Sequence, residues 1–136
     1  MTVKKFILLA LAILLAFFAG AQDLPQTDCL VKAASRWGAP CEKCEIYKDG
    51  YKRDFSGTYS VDLKNTCSDL VEVKVAVQEK GGTWRIFPVK TLTGNEVLTV
   101  FACQGTGKYI YWARRVNDTE IILPSDHEIL TEYRSR

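Results

Sequence analysis

From Gly57 to Arg115 apolar and polar residues alternate with a period of two, the signature of half-buried β-strands. Tyr59, Val61 and Leu63 alternate with Thr58, Ser60 and Asp62, up to Asn65-Thr66-Cys67. Val71, Val73, Val75 and Val77 then alternate with Glu72, Lys74 and Gln78. After the turn Glu79-Lys80-Gly81-Gly82, Thr83 to Val89 predicts a third strand. Trp84 and Ile86 lie opposite Arg85 and Phe87 in it, and Pro88 suits its end better than its middle. Val97 to Arg115 reads as a hairpin around Gln104-Gly105-Thr106-Gly107. Both of its faces carry large apolar groups, so it is expected mid-sheet with cover on both sides. Asn117-Asp118 turns the chain into a short strand, Ile121 to Leu123.

Two stretches follow a helical pattern instead. Asp28 is a plausible N-cap, and Leu30, Val31, Ala34 and Trp37 share one side before Gly38 and Pro40 end the segment. Ser125 and Glu128 have capping-box spacing, which predicts one or two helical turns over Ile129 to Tyr133. Between these, Glu45 to Tyr47 reads as a brief strand and Lys48 to Phe55 as a polar loop. The pattern predicts an all-β fold: an antiparallel β-sandwich or small barrel of about six strands, with a short N-terminal helical segment held by disulfides.

Residues 1–21 do not belong to that fold. Lys4 and Lys5, the apolar run Phe6 to Phe18 and the small residues Ala19-Gly20-Ala21 have the layout of a cleaved signal peptide. The run is short for a bilayer span, and no cysteine directly follows it to carry a lipid, so no stable membrane anchor is expected after cleavage. Residues 22–136 would then form a single disulfide-stabilised β domain that is secreted or periplasmic. The chain carries 18 basic and 16 acidic residues, and two of the basic ones lie in the leader, so the remainder is balanced. That balance argues against nucleic acid or an anionic membrane as the main partner.

Five cysteines in an exported chain of this size predict disulfides: Cys29, Cys41, Cys44, Cys67 and Cys103 are all candidates. If successive strands run antiparallel, Cys67 and Cys103 fall at opposite ends of strands spanning roughly 25–30 Å. A bridge needs Cα atoms within about 7 Å, so those two are not partners. Cys103 is expected to pair with Cys41 or Cys44, leaving Cys29 for Cys67 and one cysteine unpaired. Cys41-Glu42-Lys43-Cys44 has the spacing of a thiol–disulfide redox motif, but it opens no βαβ unit and is flanked by acidic groups. Cys29, Cys41, Cys44 and His127 supply the types of a zinc set without a second paired motif, so neither metal nor cofactor is assigned.

Nothing in the chain nominates a catalytic group. Ser125-Asp126-His127 contains the residue types of a hydrolytic triad, but contiguous residues do not converge on one point. Gly105-Thr106-Gly107 joins strand to strand, which is not the setting of a phosphate loop. The aromatics Trp84, Tyr109, Tyr111 and Trp112, with Arg85 and Arg114, are the candidate binding set, for stacking on a sugar or anchoring a protein. Their structural alternative is packing as cross-strand pairs. Asn117-Asp118-Thr119 is an N-glycosylation sequon in a predicted turn.

Asn65-x-Cys67, the strand Val71-x-Val73, Trp84 after a Gly turn and the late strand Tyr109-x-Tyr111-x-Ala113 together resemble a family of small secreted bacterial domains of unknown function. The resemblance spans about residues 57–115, implies an all-β fold and carries no catalytic residue across. The expectation is therefore a non-catalytic exported module that binds a glycan or a protein. A thiol–disulfide protein using Cys41 and Cys44 is the alternative, and a small secreted inhibitor or immunity-type protein the third class.

Overall fold

A computed structural model describes residues 27–44 and 54–133. The proposed leader and the proposed strand at Glu45 to Tyr47 lie outside the described residues. Seven strands and one α-helix follow in order: β1 Leu30–Trp37, β2 Tyr59–Asn65, β3 Val71–Glu79, β4 Trp84–Ile86, β5 Lys90–Leu92, β6 Val97–Ala102, β7 Gly105–Arg115 and α1 Asp126–Glu132. A 3₁₀ turn, Glu42–Cys44, follows β1.

The strands form two antiparallel sheets. The first has the order β1-β2-β6. In the second, β3 is central, with β7 on one side and β4 and β5 in succession on the other. β4 and β5 are two halves of one edge strand. The Phe87 N–H still reaches the Val75 carbonyl at 2.9 Å, but Pro88 has no N–H to donate and the ladder breaks there. No sheet among the described residues closes into a barrel.

The period-two pattern maps directly onto burial. Val71, Val73, Val75 and Val77 of β3 meet Val61 and Leu63 of β2 and Val100 and Ala102 of β6 in one cluster drawn from both sheets. The opposite face of β3 is also covered. Ala76, Trp84 and Trp112 form a second cluster with Ile129 of α1. β7 therefore lies between two layers: Tyr109, Tyr111 and Ala113 pack toward the first cluster, Ile110 and Trp112 toward the second. That is why both faces of β7 carry apolar side chains.

The connection inside the Val97–Arg115 stretch is not a hairpin, and the stretch is not mid-sheet: β6 and β7 are each the outer strand of their sheet among the described residues. β6 pairs with β2 and β7 pairs with β3, so residues 103–104 carry the chain from one sheet to the other. The crossover finds backbone partners on both sides: the Gly105 N–H donates to the Gly57 carbonyl at 2.9 Å, and the Lys80 N–H to the Gln104 carbonyl at 2.8 Å. Only glycine fits at 105, because a Cβ there would lie 2.7 Å from the Cβ of Tyr59. Periodicity identifies strands but not their partners, and here the two strands find their partners on different sheets.

Two other expectations are corrected. The predicted N-terminal helix is β1, paired with β2 from Leu30↔Asn65 to Trp37↔Tyr59, with the register slipping between Lys32 and Ala34. Of the four residues proposed to share a helix face, Leu30 alone is fully buried, whereas Val31 and Trp37 are exposed. A strand bulge shifts the period away from two, and the shifted spacing imitates a helical one. Ile121–Leu123 is irregular chain rather than a strand. The expected C-terminal turns are present: Ser125 caps α1, its hydroxyl accepting the Glu128 N–H at 3.2 Å.

Two disulfides join the N-terminal segment to the sheets, Cys29–Cys67 and Cys44–Cys103, each with Cα atoms 5.1 Å apart. β6 runs antiparallel to β2 and ends beside Tyr59, which puts Cys103 at the end of the sheet away from Cys67. β1 spans that distance, so one bridge fixes its start and the other the turn beyond its end. Cys41 is the free cysteine.

Candidate functional site

The aromatic groups nominated from sequence separate onto two faces. Trp84 is 7% exposed and Trp112 is 2% exposed, both under α1. The Trp84 indole donates to the Tyr133 carbonyl at 2.7 Å, and Trp112 meets the Tyr133 ring edge-to-face at 5.6 Å. These two tryptophans form the seat of the helix and present no stacking surface. Arg114 is pinned beside them, its Nε donating to Glu72 at 2.6 Å and its Nη1 to the Ile121 carbonyl at 2.7 Å. Arg85 lies on the other face, over the Phe101 ring at 4.4 Å and the Phe87 ring at 5.5 Å.

Tyr109 and Tyr111 remain on the face toward β2, half-buried and stacked at 6.4 Å with 13° between their planes. The phenol of Tyr109 is held above its ordinary titration range, first by burial and then by the neighbouring Tyr59 and Tyr111. This row of tyrosines leads to a residue the sequence reading had assigned to a helix.

Trp37, at the end of β1, is 54% exposed. It is nevertheless tightly placed. Opposite Tyr59 in the ladder, its ring lies 4.9 Å from the Tyr59 ring at an angle of 47°. Its other neighbour is Gly107, where a Cβ would stand 3.1 Å from the indole Cζ2. Gly107 also has φ +88°, a conformation that favours glycine. Gly38, at φ +78°, turns the chain immediately after Trp37 and donates its N–H to the Thr58 carbonyl at 2.9 Å. The indole is thus exposed on its outer side and fixed on its inner side.

A shallow groove begins at Gly107, the glycine beside Trp37, and runs along β7 past Lys108, Tyr109 and Ile110 to the rim of Trp84. β7 is the outer strand of its sheet among the described residues. The site therefore combines a fixed exposed indole, a strand edge and one exposed cation, Lys108. Of this surface, the sequence singles out Tyr109 and Tyr111 and not Trp37; the signal available is Trp37-Gly38, a large aromatic immediately before a chain reversal.

The other candidates resolve into structural roles. Ser125 caps α1, and His127 and Asp126 are exposed on that helix. Asp126 receives Lys74 at 2.5 Å, closing α1 onto β3. Cys29 and Cys44 belong to different disulfides, so the set Cys29, Cys41, Cys44 and His127 is not available as four zinc ligands. Among the described residues no group of three or more His, Cys, Asp or Glu is placed to hold a metal ion. Asn117 is exposed in the turn after β7. No family model, curated protein or solved structure matches the chain.

Proposed function

We propose that this chain is a non-catalytic exported module that binds a glycan or protein partner through the surface around Trp37. The reading is carried by one observation: Trp37 is more than half exposed yet seated between the Tyr59 ring and Gly107, where a Cβ would crowd the indole at 3.1 Å. An exposed tryptophan loses solvent contact on binding, and one already fixed in place loses little conformational freedom, so its apolar area converts efficiently into affinity. Lys108 and the β7 edge beside it would supply the polar contacts. Tyr59 supports the indole from behind, its ring 4.9 Å away. The scaffold for this reading is a β-sandwich, its two sheets stacked face to face about the shared valine core.

Export is part of the same proposal. Two disulfides fit an oxidising compartment, and no helix among the described residues is long and apolar enough to cross a membrane. The signal-like leader and the resemblance to small secreted bacterial domains point the same way. The test compares wild type with Trp37→Ala on a glycan array and against immobilised extracellular proteins. Binding that is lost in Trp37→Ala with an unchanged melting temperature supports the reading. Binding that persists in the variant moves the site elsewhere.

A further inference from the structure

Cys41 lies three residues before Cys44, and the 3₁₀ turn between them is closed by the Cys44 N–H donating to the Cys41 carbonyl at 2.9 Å. A turn closed by such a bond keeps its first and fourth Cα atoms within about 7 Å. That is the window in which a disulfide forms. Cys44 is bonded to Cys103 and is only 5% exposed, which closes its sulfur to thiols from outside. Cys41 carries a free thiol and is partly exposed. A second observation concerns the far sulfur: Nη1 of Arg85 is 3.8 Å from Sγ of Cys103. The same guanidinium is held over the Phe101 and Phe87 rings, so its charge stays at that sulfur.

We propose that Cys41, Cys44, Cys103 and Arg85 form an internal thiol–disulfide exchange site. The Cys41 thiolate attacks the Cys44 sulfur, a Cys41–Cys44 bond forms, the Cys44–Cys103 bond breaks and Cys103 leaves as a thiolate facing Arg85. One disulfide is exchanged for another, so no oxidant or reductant is consumed. The proton lost by Cys41 goes to solvent and is returned when Cys103 is protonated. Nucleophilic attack needs the thiolate, and a cation at the leaving sulfur speeds its departure. The exchange releases the crossover between β6 and β7 from the N-terminal segment, while Cys29–Cys67 still holds the start of β1. It stands independently of the binding role given to Trp37.

Trypsin cleavage after Lys43 separates Cys41 from Cys44, and Cys103 falls in a third peptide, so every isomer is distinguishable by mass. Oxidised full-length chain is incubated without denaturant between pH 6 and 9, quenched in acid, alkylated and mapped. The expected result is a Cys41–Cys44 linked pair with alkylated Cys103, forming faster as pH rises. Arg85→Met should slow its appearance about threefold, and Arg85→Lys, which keeps the charge, should restore most of the rate. Cys103→Ser, with its cysteines oxidised by air during preparation, should carry the Cys41–Cys44 bond outright. The proposal is overturned if Cys41 is the one alkylated cysteine at every pH, if the new isomer appears only in guanidinium, or if Arg85→Met exchanges at the wild-type rate.

Discussion

Asn65 is the polar centre of this molecule, and removing its side chain tests the packing account at one point. The residue is fully buried at the end of β2. Its Nδ2 donates to the carbonyls of Asp69 at 2.7 Å, Leu92 at 3.1 Å and Thr93 at 3.2 Å, and its Oδ1 accepts the Cys67 N–H at 3.0 Å. Its backbone also pairs with Glu96 and Asn95. One side chain thus ties the turn after β2 to the turn between β5 and β6, across the two sheets. An amide has two N–H groups, so the three carbonyl contacts amount to two full bonds, one of them shared. Asn65→Ala then loses about three bonds, each leaving a polar group short of a partner. The Leu92 bond is wholly buried, whereas the others are near enough to solvent for water to replace part of the loss. At about 1 kcal/mol per bond, with the buried carbonyl costing more, the expected destabilisation is about 3–4 kcal/mol. Asn65→Asp should be worse at neutral pH, because a carboxylate would face three carbonyl oxygens, and should recover part of the loss when protonated in acid. Urea unfolding followed by circular dichroism measures both variants, with an unchanged slope showing that the unfolded reference is the same. A loss under about 1 kcal/mol for Asn65→Ala, or an Asp variant as stable as wild type at pH 7, would refute the role of Asn65.

Two further effects follow from the geometry. Trp84→Ala should cost about 3–5 kcal/mol in chemical unfolding, because it empties the seat of α1 and removes the bond to the Tyr133 carbonyl; Trp84→Phe should cost less. The Asp62 carboxyl is held below its ordinary range, mainly by the bidentate bond from Arg36 and also by the Thr99 hydroxyl. A carboxyl with a lowered folded pKa contributes stability above its unfolded value near pH 4 and loses it as pH falls through the folded value. Unfolding midpoints between pH 6 and 2 should therefore fall in acid, and Asp62→Asn should flatten that fall.

The strands β2, β3 and β4 and the capped helix are legible because their periodicity and capping residues report local backbone and burial directly. The disulfide pairing is legible up to the choice between Cys41 and Cys44 for Cys103, for a less local reason. Strand parity puts Cys67 and Cys103 at opposite ends, and the antiparallel β2–β6 pair obeys that parity whichever sheets the strands join. What periodicity does not carry is partnership. The β6–β7 stretch has a hairpin's pattern, but its fate depends on Gly105 passing close to Tyr59, a contact 46 residues apart in sequence. β1 was misread because its bulge near Ala33 breaks the alternation and because an edge strand buries little. Of the candidate surface, Tyr109 and Tyr111 were found by their alternation. Trp37 is not singled out by the sequence, because its fixed, exposed placement depends on Gly107, 70 residues away. Trp84 and Trp112 were offered as ligand contacts because sequence cannot distinguish a covered sheet face from an open one, and α1 covers theirs.

The central claim is that one indole, Trp37, stands ready at the surface while Trp84 and Trp112 are sealed beneath the helix. Acrylamide quenching of tryptophan fluorescence in the folded protein tests it directly. Wild type should show two populations, one readily quenched and one protected, with the readily quenched population absent in Trp37→Phe and melting behaviour nearly unchanged. Uniform quenching of all the emission, or an accessible population that survives in Trp37→Phe, would contradict it.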